Sequence, residues 1–254
     1  MAASENPPVF EFAIEGWRYA FAALSRMPSI LGIAMAIVFG LSIATLPLLP
    51  DPEEPGLFLH LFGFLISIAQ AYFLTPVAIA VHRFVLLGEV TGRYAPNPSD
   101  PRFMRFFVFS VVYQLLTSVP SLLMSLTGKM ESGLGLALAF IFFVLLVIAM
   151  IASLRLLIVF PAIAVDARGA DWRNAMEDTK GHTWRVFFTV LVTSLPALVI
   201  SVPLYFMLAW PQRPGFTGGI VLSALQSVIG VLLLAALAAV ASRLFAAFSN
   251  KLNG

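Results

Sequence analysis

The chain has no cysteine, only three lysines and few charges of either sign. Without cysteine there is no disulfide framework, no thiol nucleophile and no Cys-based zinc or iron–sulfur site. Charged residues fill 11% of the 254 positions, against about 25% in a soluble domain. Disorder requires low hydrophobicity and high charge. Here 60% of residues are hydrophobic and the mean hydropathy is +0.94. The net charge of +2 supplies no basic surface for nucleic acid. The opening MAASENPPVFEFAIEG lacks a basic segment before an apolar one, so it does not read as a cleavable signal peptide.

Several chemical signatures are missing too. There is no Gly-x-Ser-x-Gly, no His-Glu-x-x-His and no phosphate-binding GxxxxGK[ST]. His60, His82 and His182 belong to different segments, and no pair has the i, i+4 spacing of a helical metal site. No cofactor is implied. All 13 acidic residues fall in loops, interfacial helices or span ends. Ion-coupled transport through an intramembrane carboxylate is therefore not expected.

What is present is a series of long apolar runs. About 20 apolar residues cross a hydrocarbon core of about 30 Å. On that basis the chain is an all-α integral membrane protein, a single membrane domain over 1–254. It has six transmembrane helices, at 29–49, 57–87, 103–126, 134–165, 184–210 and 218–248. Pro76 and Pro161 can kink the second and fourth. Lys129 and Arg213 alone fall in the expected outer turns (50–56, 127–133 and 211–218), leaving thirteen of the fifteen basic residues on the other side. The positive-inside rule then places both termini in the cytoplasm.

The six spans read as three helical hairpins. Arg18, Arg102 and Arg185, each beside aromatic residues, recur at intervals of 84 and 83. Pro76 and Pro161 both precede an arginine by seven residues. Two further helices read as amphipathic and interfacial on the cytoplasmic side. The first, 9–26, carries Phe10, Ala13, Ile14, Trp17, Phe21 and Leu24 on one stripe and Glu11, Glu15 and Arg18 on another face. The second, 171–180, has Asp171 as its cap, Trp172, Ala175 and Met176 as a short apolar face, and Gly181 as its end.

Arg155 lies deep in the fourth run, where it must snorkel, bond to a neighbouring helix or hold an anion. His82 and Arg83 join it as the candidate anion/headgroup or helix-packing site. With Asp166 they are the titratable groups that could meet at the inner face. Gln70, Tyr72, Tyr113, Gln114, Ser118, Gln226 and Ser227 are polar positions within spans, by default interhelical hydrogen-bonding groups.

The segment 155–188, RLLIVFPAIAVDARGADWRNAMEDTKGHTWRVFF, resembles a signature of a broad bacterial six-span membrane family. That family includes the membrane domain found beside some glycerophosphoryl diester phosphodiesterases and related stand-alone proteins of unknown function. The resemblance rests on Arg155, Pro161, Ala175, Thr179-Lys180-Gly181 and Trp184-Arg185. It implies a six-helix fold and a bacterial inner-membrane location. It transfers no catalytic residue, because the phosphodiesterase domain is a separate soluble barrel.

The expected role is a non-catalytic integral membrane protein that supports the bilayer or a partner protein. The partner would dock through the polar cytoplasmic segments 88–102 and 166–184. The alternative is a transporter or lipid-handling protein with an anion- or headgroup-binding site near Arg155.

Overall fold

A computed structural model describes residues 8–45, 57–127, 133–209 and 216–253. These form nine helices and no strand. They are α1 (Val9–Arg26), α2 (Pro28–Thr45), α3 (Leu57–Leu87), α4 (Pro101–Thr127), α5 (Gly133–Leu156), α6 (Val159–Ala164), α7 (Trp172–Asp178), α8 (Thr183–Ala209) and α9 (Phe216–Phe248). The segments Leu61–Leu87, Pro101–Pro120, Gly133–Ala164, Thr183–Leu204 and Gly218–Phe248 are long and apolar enough to cross a membrane. A sixth is obtained when α1 and α2, bent by 100° at residue 27, are counted as one. The expected outer turns, with Lys129 and Arg213, fall largely outside the described residues.

Helix α9 is the hub. It packs against α1, α2, α3, α6 and α8. Its sequence shows why, since Ala235, Ala236, Ala239 and Val240 are fully buried and Ala241 nearly so. Small side chains let neighbouring backbones approach closely, which is how helices associate where lipid removes the hydrophobic drive. Helices adjacent in sequence also pair, α2 with α3, α4 with α5 and α8 with α9. Helix α5 is apolar all round, and large side chains such as Leu136 (77% exposed) and Phe140 (68%) project outward. In water such a surface would drive association; in a bilayer it is solvated by acyl chains.

Three details differ from the expectations. The fourth apolar run is not one helix. It breaks at Leu157–Ile158 and resumes as α6. Pro161 accounts for this, because it lacks an N–H and its ring clashes with the carbonyl four residues earlier, that of Leu157. Helix α3 in contrast stays continuous through Pro76. The arginines of the recurrent motif are not equivalent either. Arg102 and Arg185 stand in the first turns of α4 and α8, whereas Arg18 is mid-helix in α1.

The third difference concerns α1. Its protein-facing side is Phe12, Ala13, Gly16, Ala20 and Ala23. Phe10, Ile14 and Phe21 of the apolar stripe face outward (67%, 61% and 55% exposed), while the addition to the expectation is a second face that meets protein. The helix thus has three arcs: a small-residue face on α9, an outward bulky face and a polar face. Trp17 joins the bundle through its indole Nε1, which donates to the Thr193 carbonyl of α8 at 2.9 Å. On the polar side Arg243 Nε donates to Glu15 at 2.8 Å.

Candidate functional site

A cavity of about 370 Å³ lies among α3, α4, α6 and α9. Each helix contributes positions at a spacing of three or four. Helix α3 gives Ser67, Gln70, Ala71, Leu74, Thr75, Ala78 and His82; α4 gives Phe106, Ser110, Tyr113 and Gln114; α9 gives Leu234, Leu237, Ala238 and Ala241. Along α3, Ser67 to His82 spans roughly 22 Å at the helical rise. The site is an elongated, mostly apolar groove with a few polar groups, and its volume falls within the ~300–1,000 Å³ typical of small-ligand sites.

The polar groups are partly committed. Ser67 Oγ donates to the Phe64 carbonyl at 2.8 Å and lies 3.2 Å from Gln114 Oε1, while Gln114 Nε2 donates to the Ser67 carbonyl at 3.4 Å. Thr75 and Ser110 bond back to the carbonyls of Ala71 and Phe106. At the far end His82 is fully enclosed, with Nδ1 2.8 Å from Ser242 Oγ. Ser242 donates its own proton to Ala238 at 2.9 Å.

The residues expected to form an anion/headgroup or helix-packing site lie apart from one another. His82 lines the groove, but Arg83 and Arg155 do not. Arg83 donates through Nε and Nη2 to both oxygens of Glu89, at 2.7 and 2.8 Å, and through Nη1 to the Ala164 carbonyl at 3.0 Å. Arg155 makes a helix-packing contact, donating from Nε to Thr179 Oγ1 at 3.2 Å and from Nη2 to the Met176 carbonyl of α7. Asp166 instead pairs with Arg102, whose Nε donates to it at 2.9 Å. Asp166 has a φ of 54°, a left-handed conformation that aspartate tolerates better than most residues. None of these four side chains bonds to another. No group of three or more His, Asp or Glu side chains that could hold a metal occurs among the described residues.

The two polar segments fold back on the bundle. In 88–102, the Tyr94 hydroxyl donates to the Phe73 carbonyl at 2.7 Å and Glu89 is held by Arg83. In 166–184, Ala175 and Thr179 are fully buried, and Asp171 caps α7 by accepting from Trp172 N. The residues after α9 close over this segment. The Asp178 carboxylate accepts from the backbone N–H groups of Asn250, Lys251 and Leu252 at 3.0, 3.1 and 3.0 Å. Leu252 is fully buried, His182 stacks on Phe248 at 4.5 Å, and Lys251 pairs with Glu177.

The Arg83–Glu89 clamp carries a pH prediction. The hydrogen bond from Arg83 holds the Glu89 carboxyl below its ordinary value of 4.5, with the charges of Arg83 and Arg102 adding to the effect. A depressed carboxylate pKa contributes stability that is present above the unfolded value and lost as pH falls through the folded one. Amide exchange in 88–94 should therefore rise as pH falls below about 4.5, after correction for intrinsic exchange rates. Glu89→Gln should show that faster exchange already at pH 7. A pH-independent profile in the unmodified chain would contradict the clamp.

The sequence pattern marks the groove only in part. Of the polar span positions, Gln70, Tyr113 and Gln114 line it. Tyr72 instead packs on Phe73, Phe103 and Phe107 at 5.2–5.4 Å, while Ser118 and Gln226 face outward. Ser67, Thr75 and Ser110 line it without having stood out among the polar positions. The signal that finds them is the three-or-four spacing, Ser67–Gln70–Ala71–Leu74 on α3 and Ser110–Tyr113–Gln114 on α4. No family model matches the chain, and no curated protein or solved structure matches it.

Proposed function

We propose that this chain is a non-catalytic multi-pass membrane protein that handles an amphiphile, holding its apolar part in the groove among α3, α4, α6 and α9. The observation that carries this reading is the groove itself, about 370 Å³, elongated, apolar and framed by helices that can cross a membrane. Its polar strip would orient the ligand, and the His82 imidazole marks one end. On this reading the six-span topology is adopted with α1 and α7 at the cytoplasmic interface. The 100° bend supports this, since a helix at right angles to a crossing helix lies in the membrane plane. The outward Phe10, Ile14 and Phe21 would then enter the lipid. Membership of the bacterial family that 155–188 resembles, and its inner-membrane location, are proposed on that resemblance alone.

Ser110→Phe tests the groove. The position is partly exposed and lines the cavity, so a ring there should fill it. We expect unchanged yield and melting temperature, with at least tenfold less of the amphiphile that co-purifies with the unmodified chain in mass spectrometry. Equal recovery would overturn the reading. An accessory role is the second reading, in which a partner docks on 88–102 and 166–184. It is favoured by the exposed Arg93, Asn97 and Ser99. Replacing these three by alanine should then abolish recovery of a stoichiometric partner.

A further inference from the structure

A second cavity, about 410 Å³, lies on the outer flank where α4 meets α6 and the start of α7. Its floor is apolar. Met104, Val108 and Val112 form one exposed stripe of α4, which Leu115 and Val119 continue. From Met104 to Val119 the stripe runs roughly 22 Å, comparable with the depth of one bilayer leaflet and longer than any side chain could cover.

Its upper end is different in character. Arg105 is exposed there, its Nη2 steadied by the Ala170 carbonyl at 3.3 Å. Trp172 stands beside it, half exposed. Arg173 lies over the Trp172 ring, with its guanidinium carbon 5.3 Å from the ring centroid. Of the nearby acids, Asp166 is paired with Arg102, while Asp171 lines the cavity as a carboxylate that accepts from the backbone N–H of Trp172 and stands against the two arginines. Arg105 and Trp172 in the lining at one end of an apolar stripe, with Arg173 over the indole, match an anion joined to long hydrocarbon. Tryptophan prefers headgroup depth, and arginine engages phosphate oxygens through its fork of donors.

We infer that this flank is a binding site for one anionic phospholipid, its phosphate between Arg105 and Arg173 and an acyl chain along Met104, Val108 and Val112. The site rests on the proposed membrane placement but is independent of the groove, with which it shares no lining residue. It also relocates the headgroup-binding role. Arg155, which the sequence singled out, has two donors engaged by Met176 of α7 and by Thr179 just after it, whereas Arg105 and Arg173 are exposed.

The test is native mass spectrometry of the detergent-purified protein offered equal amounts of phosphatidylglycerol and phosphatidylethanolamine with identical chains. Each arginine near the phosphate is worth roughly a factor of five. The unmodified chain should therefore retain phosphatidylglycerol with about a tenfold or greater preference. Arg105→Gln with Arg173→Gln should bring the ratio close to one, while Arg26→Gln with Arg168→Gln, exposed arginines outside the site, should leave it unchanged. Three results would overturn the site: no preference in the unmodified chain, an equal loss in both double variants, or a dimer mass that disappears with Arg105→Gln, which would make the flank a contact between copies. A carbonate wash separates the two levels. Release from membranes refutes the membrane placement and the site together, whereas retention without lipid preference refutes the site alone.

Discussion

Gly16→Leu should strip α1 from the bundle. A Cβ built on Gly16 would lie 2.6 Å from Val240 Cγ2 and 3.0 Å from the Ala236 carbonyl oxygen. The first neighbour is a methyl that can move, but the second is backbone of the hub helix and cannot. A leucine adds three more carbons to that space. Overpacking typically costs about 1–3 kcal/mol, and relief requires α1 to lift, which exposes Phe12, Ala20 and Ala23 as well. We expect a melting temperature lower by several degrees, proteolysis within 9–26, and a red-shifted contribution from Trp17 as its bond to Thr193 is lost. Gly16→Ala should show the same effects in weaker form, and Ile14→Leu on the outward face should show none. An unshifted melting temperature for Gly16→Leu would mean that α1 is not held as described.

The second large effect is expected at Asp178. Replacing it by alanine removes the acceptor of three backbone N–H groups at once. A hydrogen bond to a charged group contributes about 1.5–3 kcal/mol, and because these three share one partly exposed carboxylate the total should be roughly 2 kcal/mol rather than their sum. Deuterium uptake at Asn250, Lys251 and Leu252 should rise by at least tenfold, and Leu252 should leave its pocket. Asp178→Asn, which keeps one carbonyl oxygen, should fall between. Gly169→Ala approaches the same contact from the other side, since a Cβ there would lie 2.0 Å from the Lys251 carbonyl oxygen. It should release 249–253 without touching the carboxylate. Continued protection of those amides in both variants would remove the latch.

These two positions also show what the sequence could and could not convey. The apolar runs announced the long helices, because about 20 consecutive apolar residues match the thickness of a bilayer and little else. Asp171 announced the start of α7. Composition could not tell which face of α1 meets protein. The bulky stripe Phe10, Ile14 and Phe21 is the stronger hydrophobic signal, yet in a membrane lipid receives bulky groups and protein receives small ones. The stripe read as interfacial therefore says nothing of the protein contact, which Phe12, Gly16, Ala20 and Ala23 carry. Arg155 was conspicuous as a charge in an apolar run, but its partners are a threonine hydroxyl and a helix-end carbonyl that no spacing rule associates with it. The groove was hidden for a related reason. Serine and threonine in a membrane helix usually satisfy themselves on the preceding turn, as Thr75 and Ser110 do, so only their shared phase with Gln70, Tyr113 and Gln114 distinguishes them.

The docking of α1 on α9 has a temporal side. Gly16 and Ala236 touch, yet 220 residues separate them. At a synthesis rate of about 5–20 residues per second, α1 waits roughly 10–45 s after its own emergence before its binding surface exists. Throughout that interval its alanine face can meet only α2, α3 and α8, and all four lack the helix that unites them. Assembly around the hub is thus a late event, and a ribosome halted before residue 231 leaves the pairs α2–α3 and α4–α5 without the helix that joins them to α1 and α8.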